Sequence, residues 1–232
     1  MFDCKLKTTL FCPKCNNVLQ ITESNVTLSK HDNKVKGLYI AFEGIDGSGK
    51  TLQSQKMAKT LRSKGYNITY VREPWDEKLK NFLYNHELEP DVETYVFAID
   101  RIMLQRKIVL KALKEGNIVI SDRSVYASLA YQGARGLPLE FILFVNRTVK
   151  MPDIVILLDI PVDEALERIK RRRRTRFEER EYLEKVREIY LKLPQIFRNT
   201  IFIVVDASKN INEVEREIQI RLIPILKNSL DR

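Results

Sequence analysis

The sequence predicts an α/β fold: a five-stranded parallel sheet flanked by helices on both faces. Three observations carry this. Short apolar runs alternate with longer amphipathic ones, the short runs are apolar at successive positions, and the first of them ends in a glycine-rich turn that opens a helix. Strands apolar on both faces belong to a sheet covered on both sides, and the alternation with helices makes it parallel.

The elements follow in order. Residues 38–42 read as a buried strand. Residues 50–64 form a loose helical pattern through Leu52, Met57, Ala58 and Leu61, stopped by Gly65. Residues 68–71 are the next strand, followed by the turn Arg72-Glu73-Pro74. Helical spacing then runs across 92–114 through Tyr95, Val96, Ile99, Met103, Ile108 and Leu113, and closes at Gly116. A strand at 118–121, a helix from about 124, a turn at 133–138 and a helix over 139–149 come next. Residues 154–159 give the fourth strand, a helix follows Pro161, and 201–205 give the fifth strand. A helix from 212 finishes the chain.

With 232 residues, the chain is long enough for one sizeable core and an appendage. Its 44% hydrophobic and 31% charged content is that of a globular protein in water. Every apolar run is far below the roughly 18 residues of a membrane span, and the first residues lack the apolar centre of a secretory signal. Three cysteines make no disulfide framework, so the cytoplasm is the expected compartment. The net charge of +9 is most concentrated at Arg168, Lys170, Arg171, Arg172, Arg173, Arg174 and Arg176, between two helical stretches.

Residues 1–36 stand apart as an N-terminal extension, with residues 37–232 forming the main domain. The extension is polar and holds all three cysteines. Cys12-Pro13-Lys14-Cys15 looks like one knuckle of a zinc ribbon, but a tetrahedral site needs four ligands and no second CxxC exists. Cys4 and His31 are the other donors within reach in sequence, at irregular spacing. Cys4, Cys12 and Cys15 are therefore zinc candidates set against the favoured reading, a solvated, disordered extension with spare thiols.

The chemistry lies in Gly44-Ile45-Asp46-Gly47-Ser48-Gly49-Lys50-Thr51. A strand precedes this run and a helix follows, the context of a phosphate-binding loop. Its glycines let backbone N–H groups approach phosphates closely, and the helix start that follows favours anions. Lys50 can reach a transferred phosphate and the Thr51 hydroxyl can ligate magnesium. Asp122-Arg123 ends the 118–121 strand, at the same edge of the sheet as the loop. Its carboxylate suits magnesium and its guanidinium suits a phosphate.

Six ordered blocks over about residues 37–226 resemble thymidylate kinase: Phe42 to Thr51, Arg72-Glu73-Pro74, Phe97-Ala98-Ile99-Asp100-Arg101, Asp122-Arg123 with Ala130-Tyr131-Gln132-Gly133, Leu158-Asp159-Ile160-Pro161 with Arg176-Phe177-Glu178, and Val205-Asp206-Ala207. The resemblance implies a nucleoside monophosphate kinase fold that transfers the γ-phosphoryl group of ATP to dTMP, with magnesium, in a homodimer. It assigns Arg123 to the acceptor phosphate, Asp122 to the metal shell, and Phe97 and Arg101 to the thymine. Asp46 would take the sugar 3′-hydroxyl, Tyr131 would crowd the 2′ side, and Ser128 would lie near the base. Arg72 and Glu73 would flank the acceptor pocket, Pro74 would be among the dTMP-binding residues, and Ala207 would stand in the loop that receives adenine.

Some members of that family carry a catalytic arginine in the phosphate loop and others in a lid. Gly47 and Ser48 fill the loop positions here, so the lid around 168–178 supplies it, with Arg171, Arg174 and Arg176 as candidates beside Arg168 and Arg172. The chain departs from the family at Leu52, at Trp75-Asp76 where glycines are usual, at Ser124 and at Thr175. Two other readings stand beside this one: a P-loop kinase for another nucleotide or nucleoside, and a nucleotide-dependent nucleic-acid-binding protein that uses the cysteine knuckle and the arginine run. The second leaves the acceptor-side blocks without a use.

Overall fold

A computed structural model describes residues 8–11, 18–21, 37–169 and 179–230, with side chains for 37–169 and 179–227. Its contacts divide the chain into two units, Met1–Asn33 and Lys34–Arg232. In the first, β1 (Thr8–Phe11) pairs antiparallel with β2 (Val18–Ile21), with Phe11 opposite Val18. The cysteines considered for zinc, Cys4, Cys12 and Cys15, lie outside the described residues.

The second unit follows the predicted alternation. β3 (Tyr39–Glu43) is buried along its whole length and leads through the glycine turn into α1 (Lys50–Ser63). β4 (Ile68–Arg72) is followed by α2 (Glu77–Asn85), a helix that the sequence reading did not place. Asp76 caps it by accepting from the N–H groups of Lys78 and Leu79. The helical run expected over 92–114 is α3 (Pro90–Leu104), a π-helical turn at Gln105–Val109, and α4 (Leu110–Lys114). At the π turn the buried Gln105 amide holds the backbone of Lys150 through both its oxygen (2.7 Å) and its nitrogen (2.9 Å).

β5 (Ile118–Asp122) precedes α5 (Val125–Ala134), with Ser124 as its N-cap. α6 (Leu139–Val145) stops four residues short of the expected 149, because Asn146 turns its amide back onto the Ile142 carbonyl. β6 (Ile154–Asp159), α7 (Val162–Ile169), α8 (Arg180–Ile196), β7 (Ile201–Asp206) and α9 (Ile211–Leu230) complete the order.

The five strands β3 to β7 run parallel in the order β4-β5-β3-β6-β7. β3 is central: the chain leaves it toward β4 at one edge, returns through β5, and crosses to β6 and β7 on the other side. Ile154 to Leu158 of β6 are all buried, so helices cover both faces there, as the unbroken apolar run requires. α9 packs on α1 and β7, while α5 packs on α3, α6 and α8. Among the described residues no helix is long and apolar enough to cross a membrane.

Ile156→Ala, at a fully buried position of β6, is expected to cost about 3 kcal/mol by leaving a cavity. Ile220→Ala on α9, where the side chain is 65% exposed, should change stability by less than about 0.5 kcal/mol. Urea unfolding of the two variants against the parent checks the contrast.

Candidate active site

Three segments meet at the carboxyl ends of the central strands, where the strand order reverses. The register sets Phe42 opposite Asp122, and Asp122 opposite Arg72. The loop after β3, the turn after β4 and the dipeptide after β5 are therefore neighbours.

The glycine-rich loop is shaped for close approach. Gly47 has φ of 88°, and a side chain there would run into the backbone of Ala165 on α7. Gly49, the N-cap of α1 with φ of 90°, has open space where a Cβ would stand. Left-handed backbone favours glycine at both. Lys50 is buried, and its ammonium donates to the Ile45 carbonyl at 2.8 Å and lies 3.7 Å from Asp46. Burial, with the Arg123 charge nearby, pulls its pKa down to about 8. Ile45 and Ser48 are also buried. Thr51 donates its hydroxyl hydrogen to Asp122 Oδ2 at 2.6 Å, and Arg72 Nε lies 3.4 Å from the same oxygen.

Two cavities open on this junction. The inner one, about 460 Å³, is lined by Asp46, Glu73, Pro74, Phe97, Arg101, Arg123, Ser128 and Tyr131, all singled out from sequence, together with Tyr84, Ala127 and Gln132. The outer cleft, about 1480 Å³, runs along Asp46, Gly47, Gly49, Lys50, Thr51, Leu52, Arg72, Asp122 and Arg123 to Arg168, Ile169 and Ser208 to Ile211. Asp46 and Arg123 line both.

Arg123 stands at the boundary in a left-handed conformation, φ 76°, uncommon for a residue with a side chain. Its guanidinium pairs with Asp46 and lies over the Tyr131 ring, 4.8 Å from the centroid. The Tyr131 hydroxyl accepts from the Asp46 N–H at 3.0 Å. Burial, then the Asp46 charge, pushes the Tyr131 phenol up.

Arg101 forms the floor of the inner cavity and is 1% exposed. Its Nε donates to Glu73 (2.8 Å), Nη1 to the Asn146 side-chain oxygen (2.6 Å), and Nη2 to the Ser128 hydroxyl (3.0 Å) and the Ser124 carbonyl (3.3 Å). Only Nη1 keeps an N–H beyond these bonds. Glu73 is buried with Oε1 lacking a hydrogen-bond partner, and burial lifts its carboxyl to about 7 against the opposing pull of Arg101. Asp100 fixes the turn beyond by accepting from the N–H groups of Trp75 (2.8 Å) and Asp76 (2.7 Å).

Not every expected residue reaches the cavities. Ala207 is 2% exposed and packs in the core, while the four residues after it line the outer cleft. Gly44 has φ of 141° and lies against the Leu158 carbonyl rather than in the cleft wall. Arg171, Arg174 and Arg176 lie outside the described residues. Tyr84 was not singled out from sequence, because it sits on a helix not foreseen, and Gln132 was named in its block without a role. Among the described residues no group of His, Cys, Asp or Glu side chains is placed to hold a metal ion without other donors.

Comparison with known proteins bears on the same segments. The family model described as thymidylate kinase matches residues 42–218. A probable thymidylate kinase of Pyrococcus horikoshii is 41% identical over 196 residues, covering 79% of this chain and 95% of the relative. One of Thermococcus gammatolerans is 38% identical over 197 residues, 78% of this chain and 94% of the relative. One of Methanosphaera stadtmanae is 36% identical over 198 residues, 82% of this chain and all of the relative. With the phosphate loop, the Arg72-Glu73-Pro74 turn and Asp122-Arg123 all inside the matched span, this chain belongs to the thymidylate kinase family.

Proposed function

We propose that this kinase transfers the γ-phosphoryl group of ATP to dTMP, giving dTDP and ADP, with ATP in the outer cleft and dTMP in the inner cavity. The observation that carries the arrangement is the pair of adjoining cavities sharing Asp46 and Arg123. A two-substrate phosphoryl transfer needs such a shared wall, because donor and acceptor phosphates must meet in line.

The ATP phosphates lie along the loop backbone and the start of α1, with Lys50 on the transferred group. The low pKa of Lys50 reflects a buried cation awaiting a counter-charge, which phosphates supply. Magnesium fits beside them: the Thr51 hydroxyl and the Asp122 carboxylate present two hard oxygens 2.6 Å apart at the cleft wall. When bound, the ion neutralises charge on the phosphate oxygens.

An oxygen of the dTMP phosphate attacks the γ-phosphorus, and the bond to the bridging oxygen breaks to release ADP. Arg123 holds the acceptor phosphate and Asp46 turns to the sugar 3′-hydroxyl, with Tyr131 against the 2′ side. Phe97 offers a flat face to the base, and the remaining Nη1 hydrogen of Arg101 donates to a thymine carbonyl. Ser128 closes the floor by accepting from Arg101, and Glu73 and Pro74 flank the acceptor. Positive charge for the transferring group comes from the lid, with Arg171, Arg174 and Arg176 as its source. The place of Arg168 on the cleft wall supports that direction of approach. Ser208 to Ile211 stand where Ala207 was expected to receive adenine.

The working form is a homodimer. Val92, Tyr95 and Ile99 recur at helical spacing on α3 and are 43%, 49% and 50% exposed, and Phe144 of α6 is 63% exposed. Tyr95 meets Phe141 of α6 edge-on at 5.8 Å, so the two helices share one apolar face.

An ADP-release assay across nucleoside monophosphates should give dTMP the highest kcat/KM, with turnover abolished by EDTA. Turnover of dTMP no better than that of dCMP, dGMP or dAMP would sink the assignment. Arg123→Ala is expected to lower kcat/KM for dTMP by about 100-fold or more while the KM for ATP moves only a few-fold, as steady-state kinetics would read. Ile99→Glu should convert a dimer to a monomer in sedimentation velocity; a monomeric parent protein at tens of micromolar would overturn the dimer.

A further inference from the structure

We propose that Glu93 is a positioning residue that sets which nucleobases the inner cavity accepts, by fixing the orientation of the Gln132 amide. The inference rests on the reading of that cavity as the dTMP site. Glu93 lies in the first turn of α3 and is fully buried, a setting that demands partners for its carboxylate. One oxygen accepts from Gln132 Nε2 at 2.6 Å and the other from Arg135 Nη1 at 2.8 Å. Arg135 is itself held, its Nη2 donating to the Leu88 carbonyl at 2.9 Å.

A glutamine amide has nearly the same shape either way round, so its neighbours decide which end faces where. A carboxylate only accepts. Paired with the Arg135 guanidinium, Glu93 therefore draws the NH2 end of Gln132, and Oε1 takes the opposite side. That oxygen is buried, has no hydrogen-bond partner, and belongs to a residue of the cavity wall. An unpaired buried acceptor in a binding cavity selects a ligand that brings a donor.

The same cavity wall includes the Arg101 guanidinium, whose Nη1 keeps a hydrogen to give. A donor and an acceptor in one cavity wall match the imide edge of thymine, a carbonyl next to a ring N–H. Cytosine inverts both, with an amino donor next to a ring acceptor. Discrimination then depends on Gln132 staying one way round, and Glu93 is what keeps it so.

The test compares kcat and KM for dTMP, dCMP and ATP in the parent protein, Glu93→Gln and Arg135→Gln. In the first variant an amide replaces the carboxylate and can either donate or accept. In the second the buried carboxyl loses its counter-charge and can take up a proton to donate. Both free Gln132 to turn over. Each should narrow the dTMP-over-dCMP preference at least tenfold, mainly through a higher KM for dTMP, with the KM for ATP unchanged. Folded variants that keep the parent preference, or that lose activity with both acceptors in proportion, would overturn the proposal. The parent protein gives an arm that needs no variant: N3-methyl-dTMP, which lacks the ring N–H, should be at least 100-fold poorer than dTMP, and equal turnover would also overturn it. Failure of the parent protein to phosphorylate dTMP at all is a separate outcome, which removes the reading of the cavity itself.

Discussion

The register of β3 against β5 is the constraint on which the rest of the site depends. It puts Phe42 opposite Asp122, and the Arg123 N–H then donates to the Phe42 carbonyl at 3.1 Å. On the other edge of β5, the Glu73 N–H donates to the Asp122 carbonyl at 3.0 Å. A slip of one residue would reverse every side chain of β5 and turn Asp122 away from Thr51. Burial enforces the register, since β3 and β5 are buried at every position and neither has a face that could be traded for solvent.

The second feature is the number of charged groups kept inside. Glu43, Glu73, Glu93 and Arg101 are each at most 3% exposed, which would be destabilising for lone charges. Each is instead held by specific partners. Glu43, pushed up in pKa by burial, accepts from the Ser124 hydroxyl at 2.7 Å and the Tyr190 hydroxyl at 2.8 Å. Tyr190 belongs to α8, and Tyr182 of the same helix donates to the Tyr131 carbonyl at 2.7 Å. The helix on the far side of the arginine run is thus tied by hydrogen bonds both to the strand before the phosphate loop and to a residue lining the inner cavity.

Much of this was legible in the sequence, and the rest was hidden for identifiable reasons. The five strands read as apolar runs because both their faces are covered. The glycine loop reads from local spacing, whereas Phe97 and Arg101 were singled out only through the family resemblance. α2 was missed because its residues are mostly charged and polar, although Asp76 as a cap was a usable signal. β1 and β2 alternate too briefly to stand out from a polar extension. Arg101 in isolation reads as a solvated charge, because its burial depends on Glu73, Ser128 and Asn146, which are distant in the chain. The contact of Gln132 with Glu93 was invisible for the same reason: 39 positions separate them, and neither residue type announces it. Ala207, just after the end of β7, packs in the core while Ser208 to Ile211 line the cleft, an alternation of facing that a three-residue block does not display.

Arg123 shows how these constraints combine. A left-handed conformation costs a residue with a side chain about 1–2 kcal/mol, so it persists only where the surroundings over-determine it. Here the Phe42 carbonyl holds the Arg123 N–H, and the Ser121 hydroxyl donates to the Arg123 carbonyl at 2.5 Å. The guanidinium is then fixed against Tyr131 and Asp46, at the wall both cavities share. On the proposed assignment, a cation already oriented before substrates arrive needs little reorganisation to meet a phosphate, which is how preorganised charge stabilises a transition state. The strain at one backbone position is therefore the local cost of holding this cation at the wall both cavities share. It persists because hydrogen bonds to the Arg123 N–H and carbonyl tie that position to the buried ends of β3 and β5.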